Sequence, residues 1–418
     1  MENIAGTFVN NKQNRDRTQQ SLEQVRQKEW DVIVIGAGPS GTTAAIHLAA
    51  LGYEVLLVDK DSFPREKVCG DGLITDTLNC LESMGLRERV ESKGYPCKSA
   101  AIFSRSGIQY TLDVEPFVTI RRENFDTILT EKAMESGSAF AKGKFDNITA
   151  QKDGVTSCFV ANSETFFRAR IIVIATGTNT ELQRRIGVVH LPKPTHAAVR
   201  CYIRSPVEID FPVVSYDKSV LPACAWIFPL GEGLYNIGCC ISCHHILRYH
   251  INLRKTFRNF ITDFPLARQI TEHAQDMTPL KAGMLCTSLR GVFPHLESKN
   301  ILAIGEAIGT TLPLTGEGIG KAMISGELAA KVIDEAFRSD NPEHLKTFPK
   351  LIDETLRPCY TSYESAERWL TRFWLNDISA LCLKKSKKLR STLSGVLQDR
   401  REPSEVFSFS GIIKSFLA

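Results

Sequence analysis

No run of eighteen consecutive apolar residues occurs in this 418-residue chain, so no segment reads as a membrane-spanning helix. The first 29 residues are rich in Asn, Gln, Arg and Lys. They lack the apolar centre of a secretory signal, which points to a polar flexible tail on a cytoplasmic protein. An excess of one charge is missing too: 51 Lys and Arg against 47 Asp and Glu leave a formal +4, which makes no case for nucleic acid. Twelve cysteines in a chain without a secretory signal read as free thiols, not a disulfide framework. The stretch CCISCHH gathers Cys239, Cys240, Cys243, His244 and His245. Strand neighbours point to opposite faces, and no second cysteine or histidine pair sits at finger-like spacing, so no metal is expected.

What is present begins at Asp31. DVIVIGAGPSGTTAAIHLAALGYEVLLVDKD runs from an apolar strand through Gly36, Gly38 and Gly41 into a helix, then into a second strand ending at Asp59. In this strand–turn–helix–strand frame the glycines have separate tasks. Gly36 permits the tight turn, Gly38 lets backbone approach a pyrophosphate, and Gly41 lets helix pack on strand. Pro39 and Ser40 open the helix, whose N-terminus offers N–H groups and partial positive charge to phosphates. Asp59, 23 residues after Gly36 and followed by Lys60, is placed to bond ribose hydroxyls. A dinucleotide is expected, and this motif alone does not separate NAD from FAD.

Two later stretches favour FAD. RARIIVIATG, ending at Gly177, reads as a buried parallel strand. NILAIGEAIGTTLPLTGEGIGKAMISGELAA is another, followed by Pro313, Gly316, Gly318 and Gly320 and a small-residue helix. A helix starting near Gly316 aims its dipole at a developing anion, as on a reduced flavin ring. No second GxGxxG is present for a resident nicotinamide nucleotide. The Phe125, Leu129, Ala133 spacing predicts a helix with Arg122 just before it, and 97–118 and 195–292 alternate as strands do. The expected fold is α/β: an FAD-binding Rossmann-like domain (30–96, 119–185 and 296–337), an inserted antiparallel β-sheet substrate domain (97–118 and 186–295), and a helical C-terminal region (338–418) behind the tail 1–29.

The nine residues PREKVCGDG (64–72) put Cys69 and two glycines in one loop. A reactive thiol, a metal ligand or the wall of a pocket all fit that stretch alone. Together with GAGPSG, RRENFD, IATG, AWIFPLGEGLYNIG and IGEAIGTTLPLTGEGI, it resembles the flavin-dependent geranylgeranyl reductases and menaquinone (isoprenoid) reductases, within the para-hydroxybenzoate hydroxylase-like fold. The resemblance covers about 30–415. It implies that Gly36, Gly38, Gly41 and Asp59 hold the ADP half of FAD. Arg122 would reach back toward the flavin, and Pro313, Gly316, Glu317, Gly318 and Ile319 would line its ring. Cys69, Gly70, Trp226 and Phe228 would wall the cavity where substrate meets flavin, with Cys69 a candidate in hydride or proton delivery. Where the family has G-D-A-x-G, this chain has Gly305, Glu306, Ala307, Ile308, Gly309: the glutamate keeps an acceptor for the ribityl chain and adds a methylene. Cys224 and Ala225 stand where an aromatic often precedes W-x-F-P.

The resulting expectation is an FAD-dependent oxidoreductase that reduces C=C bonds of a polyprenyl chain, geranylgeranyl or isoprenoid-quinone. Its partners are an apolar isoprenoid substrate and an external electron donor: NADPH, ferredoxin, quinol or reduced flavin. The alternatives on the same fold are a monooxygenase or oxidase, a halogenase, or a catalytically silent flavin- or lipid-binding protein. The basic run Lys384, Lys385, Lys387, Lys388 and Arg390, followed by FSFSGIIKSFLA, suits either peripheral contact with an anionic membrane or a solvated face.

Overall fold

The computed structural model describes residues 19–150, 156–160, 165–296, 300–370, 372–398 and 400–410. The unbroken apolar runs WDVIVI and VLLVD form strands buried on both faces, as a parallel sheet requires. Trp30–Ile35 lies between Val55–Asp59 and Phe166–Ile174, parallel to both. Ala139–Lys142 extends one side and Ile301–Ala303 the other, again in parallel. Helices Pro39–Ala50, Arg122–Glu135 and Ile319–Arg338 pack beside this sheet. Two of them meet backbone to backbone: a Cβ at Gly326 would fall 2.3 Å from the Ser40 carbonyl oxygen. That contact sets the third turn of helix Ile319–Arg338 against the start of helix Pro39–Ala50.

The second sheet has nine strands and is antiparallel apart from Val213–Ser215, which runs parallel to Tyr95–Phe103. Its central strands are His196–Arg204, Leu234–Ser242 and Cys224–Pro229. On the last of these the period of two is plain: Ala225 and Ile227 are buried with Phe257, Phe260 and Phe264 of the covering helices. Cys224, Trp226 and Phe228 point the other way, into a cavity. The same alternation separates Cys239, buried on the helix side, from Cys240, which lines the cavity. None of the twelve cysteines is in a disulfide. The expected α/β fold with its inserted antiparallel sheet and helical C-terminus is the one that forms.

Two stretches read as solvated polar chain are ordered more than their composition suggests. Residues 1–18 lie outside the described residues, but Leu22–Arg26 is a helix closed by a Ser21/Gln24 capping box, with Val25 buried in the core. Two apolar anchors, Leu22 and Val25, hold it to the edge of the first sheet, where Gln20 N donates to the Phe140 carbonyl at 2.8 Å. At the other end the basic run is split by Ser386, which ends helix Phe373–Lys385 and caps helix Lys387–Leu397. Arg390 donates to the carbonyls of Leu383 and Lys384 at 2.8 and 2.9 Å and so caps the first of these helices. Among the described residues no helix is long and apolar enough to cross a membrane.

Candidate active site

One cavity of about 710 Å³ runs from the first glycine turn to the C-terminal helices. At its start the backbone leaves no room for side chains. Gly36 has φ +112°, and a Cβ there would sit 2.3 Å from the Ala175 carbonyl oxygen; a Cβ at Gly41 would sit 1.9 Å from the Gly36 carbonyl oxygen. Gly38 precedes helix Pro39–Ala50 without a side-chain cap, so its first N–H groups face the cavity that Gly36, Gly38, Pro39 and Ser40 line. Asp59 accepts from Ala37 N at 2.8 Å and Asp61 N at 3.0 Å, fixing the turn against the end of its strand. Lys60 and Gly177 also line this end. Gly41 and Gly305 stand behind the wall: the space a Gly305 Cβ would need is taken by Ser40 Oγ, 2.3 Å away.

Further along, Glu306, Pro313, Gly316, Glu317, Gly318 and Ile319 line the cavity where helix Ile319–Arg338 begins. Glu306 accepts from Thr311 Oγ1 at 3.2 Å and stands 3.7 Å from Lys67 Nζ. Its added methylene thus carries the carboxylate to the loop at 64–72. Glu317 accepts from Gly320 N at 3.0 Å, a bond within the first turn of the helix. Arg122 is the first residue of its helix, fully buried, and holds Asp126 through two bonds of 2.8 and 2.9 Å. Burial works against its charge, but the Asp126 carboxylate and the adjacent Cys69 sulfur keep it firmly protonated.

The loop 64–72 is clamped from the second sheet. Glu66 forms ion pairs with the buried Arg200, at 2.8 Å, and with Lys281. Asn236 donates to the Cys69 carbonyl at 2.8 Å and to Asp71 Oδ2 at 2.7 Å, and its own oxygen accepts from Trp226 Nε1 at 2.9 Å. Tyr202 adds a 2.7 Å bond to the same Asp71 oxygen. Gly70 lies against Phe228, 3.4 Å from where its Cβ would be. The four expected wall residues, Cys69, Gly70, Trp226 and Phe228, therefore come together at one junction of the two sheets. Trp226 can lie flat because its cross-strand partner is Gly238, whose Cβ would come 2.2 Å from the indole.

Asp71, Asn236, Tyr202 and Arg200 were not among the residues expected from sequence. Only the strand register, which sets Asn236 opposite Phe228 and Gly238 opposite Trp226, brings them to the site. Asp71 is fully buried, with φ +66°, and its Oδ1 has no partner among the described residues. Burial pushes its carboxyl up to about 6, against the pull of Tyr202 and Asn236.

Residues 29–213 match the FAD binding domain family. Conditioned medium factor receptor 1 of Dictyostelium discoideum is 27% identical over 338 residues, 75% of this chain and 65% of that protein. The menaquinone reductase of Mycolicibacterium smegmatis is 25% identical over 346 residues, 78% of this chain and 80% of that protein. A solved geranylgeranyl bacteriochlorophyll reductase-like protein from Thermoplasma acidophilum has a TM-score of 0.73 at 24% identity, covering 93% of this chain and 96% of that one. A flavin-dependent brominase has a TM-score of 0.71 at 19% identity, covering 93% and 98%. The structural likenesses give the fold, and the family match gives the cofactor as FAD. The turn without side chains, the uncapped helix N-terminus and the elongated cavity fit it.

Because the folded carboxyl of Asp71 is raised above its ordinary value, its contribution to stability is complete below about pH 4 and is lost as pH rises through about 6. Infrared titration should show a protonated buried carboxyl band that disappears with a midpoint near pH 6 and is absent from Asp71→Asn. A band unchanged by that substitution would assign the proton elsewhere.

Proposed function

We propose that this FAD-dependent oxidoreductase, a relative of the geranylgeranyl and menaquinone reductases, reduces C=C bonds of a polyprenyl chain. The observation that carries this reading is the continuity of the cavity. It leaves the FAD cradle at Gly316 and Cys69 and continues over an apolar floor of alternate strand residues, Ala100, Ile102, Val214 and Ala198 among them, to Leu393, Val396 and Leu397 of the last helix. Reduced FAD supplies the hydride for such a reaction. An isolated alkene offers almost no charge to grip, so the protein's part is to position the chain and keep water out. Trp226, Phe228 and Phe117 form an aromatic wall beside Gly70, with Phe117 and Phe228 in edge contact at 5.8 Å. Asp71, one residue on, places a buried carboxyl, pushed up to about 6 by its burial, close to that wall.

The fold alone also accommodates a monooxygenase, an oxidase or a halogenase. Dithionite-reduced protein incubated without oxygen with geranylgeranyl and menaquinone substrates should add hydrogen pairs, read by mass spectrometry. Gly238→Val, which displaces the Trp226 indole, should lower that yield at least tenfold with FAD content unchanged. An oxygenated product formed in air, with no hydrogen gain without it, would replace the reductase reading with the monooxygenase one. Protein that purifies colourless and takes up no FAD would remove both.

The same reading includes peripheral membrane contact. On helix Phe373–Lys385, Trp374, Ile378 and Leu381 share one face and are 40–57% exposed, and Phe409 stacks on Trp374. Lys384, Lys385, Lys387 and Lys388 are exposed at the end of that stripe, while Arg390 is taken up by capping; the apolar stretch 411–418 lies outside the described residues. An apolar stripe beside a basic cluster is the pattern of a helix lying in an anionic interface, with about 1 kcal/mol for each nearby cation. The protein should sediment with anionic vesicles at low salt, less so as salt rises, and Trp374→Glu should abolish the binding. Salt-independent or absent sedimentation of the wild type would remove this part.

A further inference from the structure

We propose that the end of the cavity closed by His196 and Glu367 recognises an uncharged headgroup that donates a hydrogen bond, an alcohol or a phenol, through Glu367. This deepens the polyprenyl reading and rests on it. His196 and Tyr202 occupy one strand six residues apart, about 20 Å, and both ends of that interval matter. Tyr202 bonds Asp71 at the aromatic wall, whereas His196 lies past the level of Cys224 and Cys240 and lines the far end. An extended chain of several isoprene units fills such a span.

At that far end His196 Nε2 donates to Glu367 Oε1 at 2.8 Å, the tautomer a carboxylate acceptor demands. The second carboxylate oxygen has no partner among the described residues. Tyr216 lines the same space. Cys224 and Cys240 face it as neutral thiols, burial pushing the first up to about 11 and the second well above its usual value. Among the described residues, the Lys and Arg side chains that line the cavity are Lys60, Arg65, Lys67, Arg122 and Lys144, none of them on the strands or helix that carry His196 and Glu367; of the two histidines there, His196 is bonded to Glu367 and His245 is held below its usual value by burial. A diphosphate would thus meet a carboxylate and no cation in a partly desolvated place, which is costly for either charge. A hydroxyl donor meets an open, charged acceptor instead.

Equilibrium dialysis of oxidised, FAD-loaded protein against geranylgeraniol, geranylgeranyl diphosphate and the parent hydrocarbon tests this without turnover. The wild type should bind the alcohol about tenfold more tightly than the hydrocarbon, the size of one charge-assisted hydrogen bond, and the diphosphate least. Glu367→Leu should bring alcohol and hydrocarbon together, and Glu367→Lys should invert the preference toward the diphosphate. FAD content and circular dichroism check each variant's fold, and the wild-type ranking stands without any variant. Diphosphate binding equal to or tighter than that of the alcohol overturns the inference and leaves the polyprenyl reading intact. So does an alcohol preference that survives Glu367→Leu. Binding of none of the three ligands sinks both.

Discussion

One buried carboxamide joins the two halves of this protein. Asn236 stands on a central strand of the second sheet, yet two of its bonds reach the loop that leaves the first: to the Cys69 carbonyl and to Asp71. Its third partner is the Trp226 indole, which forms the wall beyond. All three groups are buried or nearly so, and removing one partner leaves the others with unmet hydrogen bonds at roughly 1–3 kcal/mol each. The loop 64–72 is therefore not a free lid. It is a fixed strap, held at one end by Glu66 on Arg200 and at the other by Asp71 on Asn236 and Tyr202. The aromatic wall, the position of Cys69 and the start of the apolar floor follow from that strap.

The cavity changes from polar to apolar along its length. Its FAD half gathers backbone N–H groups, a helix N-terminus and basic side chains, the surroundings a pyrophosphate needs. Its other half is floored by the alternate residues of an antiparallel sheet, small or apolar except where Glu367 and His196 close it. Burying such a floor without a ligand gains little, whereas an apolar chain laid on it recovers roughly 25 cal/mol for each Å² removed from water. The same sheet buries its opposite face under two helices, so the strand alternation sets the cavity and the second core at once.

The glycine-rich turns and the parallel strands were the most legible part of the sequence, because glycine placement and unbroken apolar strands have few alternative explanations. Gly36, Gly38 and Asp59 stand where their spacing put them, and the second junction at Gly316 opens a helix three residues later, at Ile319. The second sheet was legible as strands but not as a site. Asn236 lies in a stretch that reads as ordinary alternation, and only the register that pairs it with Phe228 shows that it faces the loop. Asp71 was visible in CGDG but silent, since its buried, left-handed position depends on partners more than a hundred residues away. Arg390 shows the opposite failure: a basic run read as one surface loses a member to capping because Ser386 breaks the helix there.

The claim that Asn236 holds the strap is open to one direct measurement, hydrogen exchange of FAD-loaded protein across residues 67–73 in Asn236→Leu and wild type. The account predicts that amides of this segment exchange at least tenfold faster in the variant, while the parallel sheet around Trp30–Ile35 keeps its protection and FAD stays bound. Unchanged exchange at 67–73 would contradict it, and would place the support of the Cys69–Gly70 wall elsewhere in the fold.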